Sequence, residues 1–372
     1  MLLSDQEVID RVFEHIDNGS TDLGDQTWRE PTENYRSAER FQKELALFRR
    51  LPLPFAPSIA LKKTGDYIAR PVGGVPIIVV RHEDGGLRAF RNACRHRGVT
   101  VAQGQGCTRV FTCGYHGWAY GLDGALQHVP HESGFPDLDK TEHGLVPIDS
   151  VTEQGGLIFV SVEPPIDDGA LAALPELISP DMTIFGESDK ESEFNWKLNI
   201  EATLEGYHIK PTHRETFYPY GYDNMTVVET FGPNGRVTFP FRRIEKLRNL
   251  PPEERDIRGR VTYAYNIFPN ATVAMLSNHT VVSFSEPLSP TRTRYFGYRI
   301  GETVGEADAE SKARMKRDAD FVSDTGGKED AEMVYRIQEG LASGANSHFL
   351  YGQFEKAIVN FHQHMTRLID KV

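Results

Sequence analysis

Cysteine is nearly absent: the chain has three in 372 residues. Three cannot build a disulfide framework, so the fold must stand on its hydrophobic cores, and the length suffices for two domains. Positive charge is also in short supply. Forty-one Lys and Arg face 53 Asp and Glu, a formal net charge of −12, and no basic block occurs. That balance argues against nucleic acid and anionic membrane as partners and favours a soluble partner with a basic docking face. No apolar run approaches the eighteen residues a membrane span requires. The opening MLLSDQEVID carries acids where a signal peptide needs a basic and then an apolar stretch. A cytoplasmic protein is the expectation. Internal repeats and low-complexity tracts are missing, and so is a dinucleotide fingerprint, since Gly104-Gln105-Gly106 lacks the third glycine. The remainder, 39% apolar and 25% charged, is ordinary for a globular chain.

Two of the cysteines organise what is there. Cys94 and His96 stand one residue apart, Cys113 and His116 two apart, with sixteen residues between His96 and Cys113. Two thiolates and two imidazoles suit either a tetrahedral zinc or a [2Fe–2S] cluster in which histidine replaces cysteine on one iron. The flanks, His96-Arg97-Gly98 and His116-Gly117-Trp118, repeat the CxH and CxxH pattern of the Rieske motif. Histidine ligands leave the outer iron less electron-rich and raise its potential. A Rieske cluster is therefore the favoured reading and structural zinc the rival. Cys107, between the pairs, reads as a small, partly buried side chain.

In order along the chain, Ser4-Asp5-Gln6-Glu7 is a capping box opening a helix with Val8, Ile9, Val12, Phe13 and Ile16 as its stripe and Asn18-Gly19 as its end. A second helix is predicted from Ser37 to Arg50. Short strands follow, 75–81 and 87–91 around the hairpin signal Asp84-Gly85-Gly86, a hairpin from Gly114 about Asp123-Gly124, and a last strand from Gly155 to Val162. After Pro164-Pro165 the pattern changes. Asn195 to His208 reads as a helix, then come six strands (225–228, 237–241, 261–268, 271–276, 280–285, 292–300) and helices at about 306–323, 329–342 and 353–370. The class is α+β. The expected division is 1–39, N-terminal helices of the catalytic domain; 40–162, a small all-β domain; and 163–372, the catalytic domain.

A second metal site is predicted at His208 and His213. Five residues on a regular helix turn about 140°, so both cannot face one metal unless the helix breaks; Pro211 is expected to break it just after His208. Iron that binds O2 takes two histidines, one carboxylate and open positions. Asp330 lies in register with Val334, Ile337 and Leu341 on an apolar helix stripe, and a core-facing carboxylate needs a cation. Glu329 and Glu332 fall off that stripe, on faces with Arg336 and solvent. Glu205, one turn before His208, has a separate role.

Cluster and triad together resemble the oxygenase (alpha) component of the Rieske non-haem iron oxygenases, the aromatic-ring-hydroxylating group. CRHRG, CGYHGWAY, NWKLNIEATLEGYHIKPTH and EDAEMVYRIQEGL carry the likeness. It implies a Rieske domain inserted before a helix-grip catalytic domain, a [2Fe–2S] cluster on Cys94, His96, Cys113 and His116, and Fe(II) on His208, His213 and Asp330. It also implies a head-to-tail homotrimer in which the acid at Glu205 bridges one subunit's iron to its neighbour's cluster. That acid is usually Asp; some members acting on quaternary amines carry Glu. With no nucleotide fingerprint of its own, the chain must receive NAD(P)H electrons through a separate reductase, with or without a ferredoxin. Family frequency makes the expected substrate aromatic. The alternatives are a quaternary amine or oxidative N- or O-demethylation, and, from other classes, a pure electron-transfer or a zinc-binding protein. Phe239, Phe241, Tyr263, Tyr265, Met275 and Phe284 are the candidate pocket walls, each weighed against a place in the core.

Overall fold

The structure is a computed structural model that describes residues 2–302 and 308–372. The predicted helix near 306–323 begins among the residues outside that description. The chain divides into two compact units, one of Met1–Glu44, Asp168–Pro175 and Asp181–Val372, the other of Leu45–Asp167 and Glu176–Pro180.

The smaller unit is built from strands. A four-stranded antiparallel sheet runs in the order Leu87–Arg91, Val75–Arg81, Asp66–Val72, Gly104–Cys107, and a three-stranded one joins Phe111–Thr112, Ala119–Tyr120 and Leu126–His128. A third sheet pairs Ser150–Gln154, Leu157–Ser161 and Leu53–Pro57. Ile78, Val80, Phe90, Phe111, Trp118 and Tyr120 form a buried core that includes Cys94 and Cys113. Cys107 differs from expectation. It ends the edge strand Gly104–Cys107, all four residues of which are exposed, and its thiol lies 3.6 Å from the Thr64 carbonyl and beside Asp66.

In the larger unit, helix α1 (Asp5–Asn18) starts at the Ser4–Glu7 capping box and stops at Gly19, whose φ of 57° is the left-handed conformation glycine adopts freely. Val8, Ile9, Val12 and Phe13 pack it against Val227, Ile244, Leu247 and Val261. Helix α2 (Ala38–Arg50) follows. The centrepiece is a seven-stranded antiparallel sheet in the order Thr183–Ser192, Arg292–Gly301, Thr280–Ser289, Ala271–Met275, Val261–Ile267, Asn234–Pro240, Val227–Phe231. Its first strand carries no buried residue, and cross-strand pairs such as Arg294–Asp189 (2.7 Å) tie it to its neighbour. Helix α3 (Trp196–Ala202), the turn α4 (Ile209–Thr212), and helices α5 (Ala309–Asp324), α6 (Gly326–Ala342) and α7 (Lys356–Ile369) complete the unit. Helix α7 buries Ile358, Phe361, Met365 and Leu368. The class is α+β.

Helix α3 is fixed by polar anchors as well as packing. Glu44 of α2, fully buried, receives Lys197 Nζ at 2.8 and 3.0 Å, Trp196 Nε1 at 2.8 Å and Arg40 Nε at 3.1 Å. At the other end, Glu201 accepts from Tyr35 (2.7 Å), Tyr351 (2.9 Å) and His362 (3.0 Å). A buried carboxylate is tolerated only with such a set of donors.

Candidate metal centres

The smaller unit presents two matching loops. Gly98 N donates to Cys94 O (2.8 Å) and Gly117 N to Cys113 O (3.0 Å); each cysteine N then donates to the residue five positions on, Val99 or Trp118, at 2.8 Å. Gly98 and Gly117 have φ of 79° and 75°, which is why glycine stands four residues after each cysteine. The two loops bring His96 Nδ1 and His116 Nδ1 to 3.0 Å, while both sulfurs are buried in the core. His96 stacks on Trp118, rings 5.0 Å apart and 9° from parallel. His116 is exposed. Burial, then the charges of His96 and Arg97, pull its pKa below the ordinary histidine value. Two buried sulfurs and two convergent imidazoles fit a cluster with thiolate on its inner iron and histidine on its outer one. Tyr120, quoted in the motif but given no role above, places its hydroxyl 3.2 Å from Cys94 Sγ and accepts from Arg95 N at 2.9 Å. Burial first, and the neighbouring Cys94 sulfur second, push that hydroxyl far above its ordinary pKa, so it stays a donor.

The second centre departs from expectation in how it is made. Helix α3 ends at Ala202, six residues before His208, and Pro211 sits inside the short turn α4 rather than ending a helix. The chain unwinds earlier: Thr203 Oγ1 donates to Ile200 O (2.7 Å), and Glu205 accepts from the backbone N–H of Tyr207 and of His208, the latter at 3.1 Å. Proline near the start of a helical turn loses nothing, because those N–H groups have no partner within the helix. The outcome is the convergence that was anticipated. His208 Nε2 and His213 Nε2 stand 3.5 and 2.8 Å from Asp330 Oδ1, and these three ligand atoms lie within 4.8 Å of one another.

Each imidazole turns its other nitrogen to an acid. His208 Nδ1 donates to Glu205 Oε1, and His213 Nδ1 to Glu329 Oε2 at 2.8 Å. Glu329 corrects the sequence reading, which placed it toward Arg336 and solvent. Only Glu332 faces Arg336, at 2.5 Å. The apolar stripe invoked for Asp330 is also partial, since Val334 and Leu341 are buried but Ile337 is exposed. Burial pulls the His213 imidazolium down, yet Asp330 and Glu329 more than offset it and leave its pKa above the ordinary value. Three carboxylates around two imidazoles leave a surplus of negative charge that a divalent cation balances, and the two-histidine, one-carboxylate donor set suits Fe(II). Of the six candidate pocket walls, Phe239 lies against this segment, 3.7 Å from where a Gly206 side chain would begin. Tyr263 instead lies under the Arg236 guanidinium (4.7 Å) and bonds Asp5, while Phe284 is core.

Comparison with known proteins identifies the families of both parts of the chain. Residues 52–142 match the family described as the Rieske [2Fe–2S] domain, and residues 181–371, just over half the chain, match the ring hydroxylating alpha subunit (catalytic domain). The carnitine monooxygenase oxygenase subunit of Acinetobacter pittii is 29% identical over 339 residues, 86% of each chain. The glycine betaine monooxygenase oxygenase subunit of Chromohalobacter salexigens is 40% identical over 158 residues, 41% of this chain and 35% of that one. A solved quaternary ammonium Rieske monooxygenase in complex with L-carnitine superposes with a TM-score of 0.75 at 22% identity, covering 99% of both chains. Naphthalene 1,2-dioxygenase with indole bound superposes with a TM-score of 0.74 at 21% identity, covering 92% of both. No helix among the described residues is long and apolar enough to cross a membrane. The cofactors are a [2Fe–2S] cluster and a mononuclear iron, with electrons supplied through a reductase. The chain belongs to the ring-hydroxylating alpha subunits, the oxygenase components of the Rieske non-haem iron oxygenases.

Proposed function

We propose that this chain is the oxygenase component of a monooxygenase acting on a quaternary ammonium compound, with Cys94, His96, Cys113 and His116 holding the cluster and His208, His213 and Asp330 the iron. The observation that carries the substrate class is the match over 86% of the chain to a carnitine monooxygenase oxygenase subunit, supported by the glycine betaine relative. Glu205, where the family usually has Asp, agrees with it. The aromatic substrate favoured on family frequency gives way to the alternative named beside it. The ligand assignment rests on donor chemistry: in one centre two buried sulfurs stand with two convergent imidazoles, and in the other two imidazole nitrogens converge with a carboxylate oxygen.

Iron held by this donor set would supply the activation of O2, which reacts only slowly with closed-shell organic molecules unaided. The protein's share is orientation and charge. Glu205 Oε1 takes the His208 Nδ1 proton while Oε2 accepts two backbone N–H groups, so the carboxylate cannot swing and the ring stays fixed. In this reading Glu205 also bridges to the cluster of a neighbouring copy in a homotrimer. Hydroxylation of a carbon attached to the cationic nitrogen consumes one O2, two electrons and two protons and releases one water. The carbinol then loses its hydroxyl proton and its C–N bond breaks with the electron pair going to nitrogen, giving an aldehyde, a tertiary amine and one proton.

Turnover with a surrogate reductase and NADH tests the proposal over L-carnitine, γ-butyrobetaine, glycine betaine, choline and a set of aromatic acids. Aldehyde and amine formed in equal amounts, matched to NADH consumed, is the expected result for at least one quaternary amine. Coupled hydroxylation of an aromatic acid, with the amines only wasting NADH, overturns it.

A further inference from the structure

Glu329 is a carboxylate at the second centre that the proposal above leaves without a task. It precedes Asp330 on α6, and successive helix positions point about 100° apart, so a neighbour of a ligand ordinarily faces away from the metal. The geometry uses that divergence. The first turn of α6 meets His213 edge-on, and the two acids take opposite nitrogens of one ring, Asp330 Oδ1 at 2.8 Å from Nε2 and Glu329 Oε2 at 2.8 Å from Nδ1. The same Glu329 oxygen accepts from Thr216 Oγ1 at 2.7 Å, which fixes the carboxylate from the far side. His213 is itself almost wholly buried, 1% exposed, so water does not compete for its nitrogens.

We infer that Glu329 is the positioning residue of His213: by accepting the Nδ1 proton it holds the neutral ring in the tautomer and the plane that present Nε2 to iron. This rests on the proposed ligand set. An imidazole binds a metal through the nitrogen that carries no proton, and a carboxylate at Nδ1 leaves only Nε2 for that purpose. The two ligand rings are thereby served differently. His208 takes its acid from three residues upstream in its own loop, whereas His213 takes its acid from 116 residues downstream. Helix α6 thus delivers a ligand and the group that aims another ligand, so any displacement of its first turn alters two of the three donors together. The bland alternative is a tie between α6 and the 213–216 turn that matters to folding alone.

The test is metal affinity. Wild type, Glu329→Ala, Glu329→Gln, Thr216→Val and, as reference, Asp330→Ala are purified anaerobically with the cluster intact and stripped of mononuclear iron. Each is titrated with Co(II), followed by its visible d–d absorption, and with Fe(II), followed by bound iron. The cluster absorbance and the melting temperature of the stripped protein serve as controls for folding. Glu329→Ala is expected to weaken both metals by about 10–100-fold, the range for loss of an acid behind a ligating histidine. Glu329→Gln, which can still accept from Nδ1, falls between, and Thr216→Val, which leaves the acid but frees it, loses a few-fold with no change in melting temperature. Wild-type affinity in Glu329→Ala, or a melting temperature that falls while affinity holds, overturns the positioning role. Should Glu329→Ala not fold, Thr216→Val decides: undiminished affinity there refutes it. Full retention of metal by Asp330→Ala removes the ligand set itself, and the inference with it.

Discussion

Tyr120→Phe deletes one oxygen beside the cluster and leaves the surrounding packing as it is. The ring is completely buried, its hydroxyl 3.2 Å from Cys94 Sγ and its oxygen already accepting from Arg95 N at 2.9 Å. With the lone pair engaged, the hydroxyl proton is directed at sulfur. Reduction places more negative charge on the cluster sulfurs, so this hydrogen bond is stronger in the reduced protein. A neutral hydrogen bond contributes about 0.5–1.5 kcal/mol and one to a charged group about 1.5–3, so the two oxidation states differ by about 1 kcal/mol. For a one-electron couple 59 mV corresponds to a factor of ten, or about 1.4 kcal/mol, which makes the expected fall in midpoint potential about 40 mV. The stranded Arg95 N–H costs stability equally in both states and does not enter the potential. A redox titration followed by the visible spectrum, with iron and sulfide content as control, reads the effect. An unchanged potential in a fully loaded variant refutes the assignment of the Tyr120 proton to Cys94.

Four further outcomes are expected. Burial alone would lower the pKa of His362, but the hydrogen bond to Glu201 and the ion pair with Glu30 hold it at about 9, and Glu30 is pulled to about 2 despite its own burial. The stabilisation from His362 is therefore complete below about 6.5 and lost as pH rises through 9, and that from Glu30 is present above about 4.5 and lost as pH falls toward 2; each is on the order of 3 kcal/mol, and because they share the His362–Glu30 ion pair they do not add. Urea unfolding between pH 6 and 10 should reveal the alkaline loss in wild type and a flatter profile in His362→Gln; equal slopes count against it. Gly326→Ala places a methyl 2.0 Å from a carbon of Phe217, whose ring lies 4.8 Å from His213, so either Phe217 or the start of α6 must move. A stability loss of about 1–3 kcal/mol and weakened mononuclear iron binding should follow, measured by melting and metal analysis. Glu205→Gln should keep both metals by spectroscopy yet slow coupled turnover, and near-normal turnover speaks against a bridge. Cys107→Ser should leave the cluster spectrum and melting temperature unaltered, since the thiol is exposed; bleaching would contradict that.

What could be read from the sequence followed the range of the interactions involved. Cys94 to His96 and Cys113 to His116 were legible because each ligand pair, with the glycine four residues after its cysteine, is a closed local turn. His208 and His213 were legible as a pair, but the break between them was assigned to Pro211. A proline is visible in a sequence; a carboxylate that takes up two backbone N–H groups and unwinds the chain at Glu205 is not. The strand Thr183–Ser192 shows no apolar alternation because it is an edge held by backbone pairing and by ion pairs such as Asp189 with Arg294 of the next strand. Glu329 illustrates the general limit. Helical periodicity separates the faces of α6 correctly, but whether an off-stripe face meets water or His213 depends on residues more than a hundred positions away.

The four histidines also explain why two centres built from one residue type behave differently. At the cluster site His96 and His116 converge through Nδ1, 3.0 Å apart, which turns each Nε2 to the far side of its ring, and His116 is exposed. At the iron site His208 and His213 converge through Nε2, and each Nδ1 is committed to an acid. An imidazole ring has a bound nitrogen and a reporting one, and the position of the latter determines what the centre can exchange with its surroundings. A cluster held through the two Nδ1 atoms would have the Nε2 atoms free for contact with a partner. Carboxylates on Nδ1 instead make the iron-site rings rigid and more basic, which favours metal retention while substrate and O2 come and go. Glu205 differs from Glu329 in what holds it: its side chain is the more buried, 11% exposed against 32%, and its second oxygen is taken by the backbone N–H groups of Tyr207 and His208, whereas Glu329 is held by the Thr216 hydroxyl.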